Sequence, residues 1–248
     1  MEPKRIVGTT FAGMAVLAGE AYYAARRRLP SFEGLDPSGT FGDPDLPGLE
    51  IVVLGDSTVT GPGVQNPDDL FVRRIARYLS DQHHVRLRSY AVGGARSSEV
   101  LRTQVPLALE HSPHLTFISV GGNDVLRAVP VPVFERNLEA IVAAMKVVSG
   151  AVVLMGVGDI GTVPRVPPPL TKIVSLSGRI ADRVHARVAE RNGAWKADHW
   201  GWSAQAFREP AMFSPDLFHP SPAGHLVWAE TVYPVVQEAL ASLATRPG

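Results

Sequence analysis

An α/β fold built on a parallel sheet is what this sequence predicts, on three observations. Short apolar runs of strand length, such as Ile51-Val52-Val53-Leu54, recur along the chain. Segments long enough for helices separate them, several with capping residues at their starts. The loops that follow the apolar runs carry Gly, Ser, Asn and Asp, the residues of turns and sites. Repeated strand–helix alternation implies parallel strands with helices on both faces of the sheet.

In order, residues 50–54 read as the first strand. Asn66-Pro67-Asp68-Asp69 supplies a cap, a first-turn proline and early acids for a helix running to about Leu79. Residues 85–90 read as the second strand. Ser97 or Ser98 caps a helix that runs toward Glu110. Leu115–Val120 is the third strand, followed by a helix from about Val133 to Val148. Ala151–Met155 is the fourth strand, and residues 170–192 read as a long helix beyond a proline-rich loop. Ala194–Asp198 is a short fifth strand. Ser221-Pro222 then caps and starts a last helix to about Leu243.

The 248 residues suit one domain with a sizeable core, expected over 49–248. Residues 30–48, with Pro30, Pro37, Pro44, Pro47 and several glycines, read as a linker. Residues 1–29 form a hydrophobic N-terminal segment. Within it, Ile6 to Ala25 lies between Lys4-Arg5 and Arg26-Arg27-Arg28, and twenty helical residues span about 30 Å, enough to cross a bilayer. A membrane anchor or export signal is expected, with a helix docked on the domain as the alternative; basic residues at both ends leave the topology open. A membrane-anchored or exported, cell-envelope location follows from that reading.

Lys+Arg and Asp+Glu number 24 each. Removing the five basic and two acidic residues of 1–30 leaves 19 and 22, a net of −3 for the remainder. A mildly acidic body argues against a nucleic-acid partner. The chain has no cysteine, which excludes disulfides, thiolate metal sites and a cysteine nucleophile.

Open parallel sheets place their sites beyond the carboxyl ends of the strands. Four groups fall there. Ser57 follows the first strand, Gly94 the second, Asn123 the third, and Asp216 and His219 stand in the loop after the fifth. A serine hydroxyl is a poor nucleophile at neutral pH and needs a base, which in turn needs an orienting partner. His219 can take the Ser57 proton and Asp216 can hold the other ring N–H. The backbone N–H groups of Ser57 and Gly94 and the side-chain amide of Asn123 are candidate oxyanion donors.

These residues resemble the SGNH hydrolases, also called GDSL-type esterases and lipases. Gly55-Asp56-Ser57 matches the first block of that family and Gly94 the glycine of the second. Gly121-Gly122-Asn123-Asp124 matches the third, and Asp216-Leu217-Phe218-His219 the last. The resemblance spans roughly residues 50–243. It implies a three-layer α/β/α sandwich of flavodoxin-like type with five parallel strands. It also implies Ser57, Asp216 and His219 as catalytic residues, and an oxyanion hole from Ser57, Gly94 and Asn123. The chain departs from the pattern at Ser57-Thr58, where many members continue Gly-Asp-Ser-Leu. It also has Ser89-Tyr90-Ala91 where an asparagine often precedes the glycine of the second block.

Competing readings are weaker. Asp198-His199 is a rival acid–base pair after the fifth strand. Asp56 and Asp124 are expected to hold turns. Gly156-Val157-Gly158-Asp159-Ile160-Gly161 has dinucleotide-binding spacing, but the prolines from Pro164 to Pro169 follow where a helix should open, so this loop is expected to border the site instead. The cluster of Trp195, Trp200, Trp202 and Phe213 reads as core, with an acyl-binding wall as the lesser reading. His83, His84, His111 and His114 lack convergent carboxylates, so no metal site is expected. No Gly-x-Ser-x-Gly is present, which argues against an α/β-hydrolase elbow. The reading is a serine esterase of lipid, short acyl or O-acetyl esters, acting through an acyl-enzyme on Ser57 without a cofactor. An acyltransferase on the same fold, or a non-catalytic membrane-tethered binding protein, are the alternatives.

Overall fold

A computed structural model describes residues 29–244 together with Gly19. The apolar segment 6–25, apart from Gly19, therefore lies outside the described residues. Among those described, no helix is long and apolar enough to cross a membrane.

The core is a six-stranded sheet of β1 (Gly39–Phe41), β2 (Gly48–Gly55), β3 (His84–Ser89), β4 (Leu115–Ser119), β5 (Ala151–Leu154) and β6 (Trp195–Lys196). Their order is β1-β3-β2-β4-β5-β6. β2 to β6 are mutually parallel, with Ile51 opposite Leu115 and Leu115 opposite Ala151. β1 is antiparallel to β3.

That edge strand corrects two expectations. The sheet is mixed and six-stranded rather than five-stranded and parallel. Residues 30–48 also contribute packed structure rather than a bare linker. Phe41 enters the core at 7% exposure. The Arg73 guanidinium lies 4.8 Å from its ring centroid and donates to the Ser38 carbonyl at 3.0 Å. Three residues among prolines and glycines carry no strand periodicity, and contacts from a distant helix hold them in place.

Side chains alternate across the sheet because successive residues of a strand face opposite ways. Ile51 and Val53 of β2 join one hydrophobic cluster with Phe71 and Ile75 of α2 (Phe71–Leu79) and Val232 and Val236 of α9 (Pro222–Ala244). Val52 and Leu54 join the other with Leu138 and Ile141 of α6 (Val131–Val148) and Val184 and Val188 of α7 (Pro168–Asn192). Burying each such side chain is worth about 1.5–3 kcal/mol. Two-sided burial explains why Ile51–Leu54 of β2 and all of β5 read as unbroken apolar runs and β4 as a run interrupted only by Thr116 before Ser119.

The remaining α-helices among the described residues are short: α1 (Ser57–Thr60), α3 (Ser97–Glu99), α4 (Val105–Ala108), α5 (Gly122–Leu126) and α8 (Trp202–Ala206), of which α1, α5 and α8 border the site. The helix expected from Ser97 toward Glu110 is broken by a π-helical turn over Val100–Gln104. Ser97 is its first residue and not its cap. Its N–H and hydroxyl both donate to the Asp124 carboxylate, at 2.9 and 2.6 Å.

Candidate active site

The end of β2 is built for a close turn. A side chain at Gly55 would meet the Ser119 carbonyl at 2.4 Å, so only glycine fits beside β4. Asp56 then caps α1, accepting from the Thr58 N–H at 2.9 Å and the Thr58 hydroxyl at 2.8 Å. Burial holds the Asp56 carboxyl above the usual carboxylate range, against those hydrogen bonds and the one from Asn123. Ser57 is therefore the first residue of α1, where no intrahelical acceptor exists for its N–H. Its own side chain has no hydrogen-bond partner among the described residues and stands at the mouth of a cavity.

A side chain missed by sequence reasoning braces this turn. Gln104, 1% exposed, accepts from the Gly55 N–H at 2.8 Å and donates to the Gly55 carbonyl at 2.8 Å. The π-turn is the local irregularity that carries Gln104 to this position, in keeping with the tendency of such turns to occur at functional sites.

Asp216 and His219 lie in the loop before α9. Asp216 Oδ2 accepts from His219 Nδ1 at 2.6 Å. Asp216 Oδ1 accepts the backbone N–H groups of Phe218 and His219, at 2.9 and 3.0 Å. Both carboxylate oxygens are thus committed and the imidazole is held edge-on to the acid. The turn places Leu217 at φ +58°, a left-handed conformation costing roughly 1–2 kcal/mol for a residue with a Cβ.

Asn123, at the start of α5, donates from Nδ2 to Asp56 Oδ2 at 3.1 Å and to the Ala95 carbonyl at 3.2 Å. Both bonds are long, and both amide hydrogens are used. To meet an oxyanion, Asn123 must share or exchange one of them. Gly94 has φ +79°, and a Cβ there would touch nothing within 4 Å. Its backbone shape, not lack of space, calls for glycine.

Ser57, Asn123 and His219 line two adjoining cavities. One is narrow and apolar, with a volume of about 130 Å³ and walls including Val120, Met155, Val157, Phe213 and Trp228. The other is an open groove of about 670 Å³, bordered by Gly94, Leu126, Arg165, Leu170 and Phe32. The loop after β5 walls the narrow cavity, as expected. What fixes that loop is Val157, whose N–H donates to Asp182 at 3.2 Å and whose carbonyl accepts from Trp200 Nε1 at 2.8 Å. Asp182 is itself ion-paired to Lys196 at 2.9 Å. Of the aromatic cluster, Phe213 lines the cavity and Trp202 is 53% exposed.

The rival pair does not form. Asp198 accepts from the Trp200 N–H at 2.9 Å, while His199 Nδ1 approaches Ser203 Oγ at 3.4 Å. Burial pushes His199 down to about 3, so it is neutral throughout the physiological range. Asp124, a buried residue of α5, accepts from the Ser97 N–H and hydroxyl, in line with the expected structural role.

A serine, a carboxylate-held histidine and an amide thus line one cavity at the carboxyl edge of a parallel sheet, in a chain whose family is one of serine hydrolases. Residues 53–227 match the family model described as GDSL-like Lipase/Acylhydrolase, and the chain belongs to that family, whose members act on ester bonds. A GDSL-like esterase of Mycobacterium tuberculosis, Rv1075c, is 26% identical over 198 residues. That alignment covers 77% of this chain and 63% of the relative, so the chain spans a little under two thirds of that protein's length. In fold it is similar to TesA, with TM-score 0.65, 22% identity, and 77% of this chain and 99% of TesA covered. The esterase EstA from Pseudoalteromonas, in a form inhibited by monoethylphosphonate, gives TM-score 0.63 at 20% identity, with 77% and 98% covered. A variant of Axe2, an acetyl-xylooligosaccharide esterase from Geobacillus, gives TM-score 0.62 at 18% identity, with 79% and 95% covered.

Proposed function

We propose that the chain hydrolyses carboxylic esters with a short acyl group through an acyl-enzyme on Ser57. Ser57 Oγ attacks the acyl carbon while its proton passes to His219 Nε2. The carbonyl oxygen, now negative, is met by the N–H groups of Ser57 and Gly94 and by Asn123. Collapse expels the alcohol, which takes the proton from His219. Water then attacks the acyl-enzyme with His219 again as base, releasing the acid and restoring Ser57. Asp216 orients His219 and stabilises its charged form.

The observation that carries this reading is the doubly anchored Asp216–His219 pair, opening on the same cavity as Ser57 and Asn123. Substrate size follows from the two cavities. The narrow one, near 130 Å³, is comparable to an engineered protein cavity of ~150 Å³ that takes benzene, so it fits an acyl chain of a few carbons and not a long lipid tail. The open groove has room for a larger alcohol.

The test is hydrolysis of nitrophenyl esters from acetyl to dodecanoyl by the full chain and its Ser57→Ala variant. Activity greatest for short acyl groups and absent from Ser57→Ala is expected. Equal activity in both proteins, or preference for the longest chains, contradicts the reading. Membrane attachment through residues 6–25 is supported by their composition. Its test is membrane fractionation of the full chain beside a variant lacking residues 1–29, with loss from the membrane on deletion expected.

A further inference from the structure

The open groove at Ser57 also holds the start of the domain. Phe32 lines it together with Gly94, Leu126 and Arg165. The Leu35 N–H donates to the Thr60 carbonyl at 2.7 Å, so this stretch is pinned to α1, the helix that begins with Ser57. In the sequence, Arg26-Arg27-Arg28 closes the apolar run 6–25, and four residue steps lead from Arg28 to Phe32. Fully extended, those steps span at most ~14 Å. Wherever residues 6–25 are held, the mouth of the groove is held close by.

The rim of the groove is apolar and partly uncovered. Leu170 and Val174 of α7 line it. Ile173 and Leu176, at neighbouring positions of the same helix, are 54% and 60% exposed, and Leu126 of α5, which also lines the groove, is 40% exposed. Large apolar side chains exposed together beside a site mark a binding surface. Arg165 is exposed, and no acidic residue among the described residues lines the groove with it. Apolar side chains with cations beside them suit the interface of an anionic bilayer. Within the run 6–25, Gly19 is helical and exposed, and a side chain there would meet nothing within 4 Å among the described residues. At that position the domain does not cover the segment.

We propose that the mouth of the Ser57 groove rests on the surface of the bilayer that holds residues 6–25, with Leu126, Ile173 and Leu176 seated in its interface and Arg165 facing lipid phosphates. This rests on the membrane attachment proposed above. It presents the site to esters held at that surface.

The chain has no cysteine, so single cysteines can be labelled without background. Ile173→Cys and Leu176→Cys report on the rim. Val147→Cys reports on the opposite edge of the sheet, since Val147 is 82% exposed at the end of α6 that leads into β5. Each full-length variant carries a bimane label and is reconstituted into vesicles of phosphatidylcholine and phosphatidylglycerol, with or without a lipid bearing a headgroup nitroxide. Side chains seated ~5–10 Å into the interface should lose emission to the nitroxide by ~2-fold or more. That loss is expected for the Ile173→Cys and Leu176→Cys labels and not for the Val147→Cys label. In protein that sediments with the vesicles, equal quenching of all three labels, or none at the rim, overturns the proposal and leaves the attachment standing. Rim labels shielded from iodide in water yet not reached by the nitroxide mean that residues 6–25 or a second copy covers the rim, and also overturn it. Protein that does not sediment with the vesicles fails the attachment reading, and the docking falls with it.

Discussion

Replacing Gln104 with leucine tests whether the turn that presents Ser57 is held by a side chain from a distant helix. Leucine nearly matches the volume of glutamine, so the change opens little cavity. It removes both 2.8 Å hydrogen bonds to Gly55. The Gly55 carbonyl keeps a second donor, the Val92 N–H at 3.1 Å, but the Gly55 N–H is left buried and unpaired. An orphaned buried donor costs ~1–3 kcal/mol, and the lost bond to the carbonyl adds up to about 1 kcal/mol. For a domain of this size each kcal/mol lowers Tm by roughly 2–4 °C, so a total of ~1–4 kcal/mol gives an expected fall of about 2–16 °C. Because Gly55 adjoins Asp56 and Ser57, kcat should fall in the folded variant at a temperature well below its Tm. Thermal denaturation and nitrophenyl ester turnover read the two effects. A Tm within about 1 °C of wild type together with unchanged kcat refutes the brace and the energy assigned to it.

Three further outcomes follow from the same geometry. Asn123→Ala should lower kcat by ~10²–10³ with little change in KM, since the amide is assigned to the oxyanion rather than the bound ester; an unchanged kcat removes it from that role. Gly94→Ala meets no neighbouring atom but must keep φ +79°, so stability should drop by roughly 1–2 kcal/mol and turnover should fall if the strained turn moves its N–H; unchanged stability and turnover contradict the backbone constraint assigned to Gly94. His185, His199 and His225 are pushed by burial to about 4, 3 and 3, below their unfolded value of ~6.5. Between pH ~6.5 and ~4 the unfolded chain therefore binds protons that the folded chain does not, and stability falls as pH falls, by ~1.4 kcal/mol per pH unit for each histidine. Asp56 and Asp124, raised by burial, act in the opposite sense, so the reading is comparative: urea denaturation across this range should show a shallower pH slope for His185→Phe than for wild type, and identical slopes contradict it.

The parts of the fold that were legible in the sequence are those whose physics is local. β2, β4 and β5 are buried on both faces and read as largely apolar runs, and Ser221 announces α9 through its own side chain, which accepts the Gly224 N–H; Asn66, expected to open the helix to Leu79, instead caps a separate 3-10 turn over Pro67–Asp69, and α2 starts at Phe71 after an extended Leu70 with no side-chain cap. Ser57, Gly94, Asn123, Asp216 and His219 were legible because each falls beyond a strand end in a short recognisable block. β1 was not, because Gly39-Thr40-Phe41 has no periodicity of its own and depends on pairing with β3 and on Arg73. Gln104 was not, because a glutamine on a helical stretch reads as a solvated residue until a π-turn buries it against Gly55. Ser203 and Trp228 join the cavity only through the packing of α8 and α9 against the sheet edge, which no spacing in the chain encodes. His199 was visible as half of an acid–base pair, and only the placement of Asp198 toward Trp200 separates the two residues.

The most direct test of the central claim is to treat the full chain with an ethyl phosphonate nitrophenyl ester and map the adduct by peptide mass spectrometry. The account predicts one stoichiometric phosphonyl group on Ser57, loss of esterase activity in step with labelling, slowed labelling in His219→Ala, and none in Ser57→Ala. Labelling at another residue, or esterase activity that survives complete modification of Ser57, contradicts it.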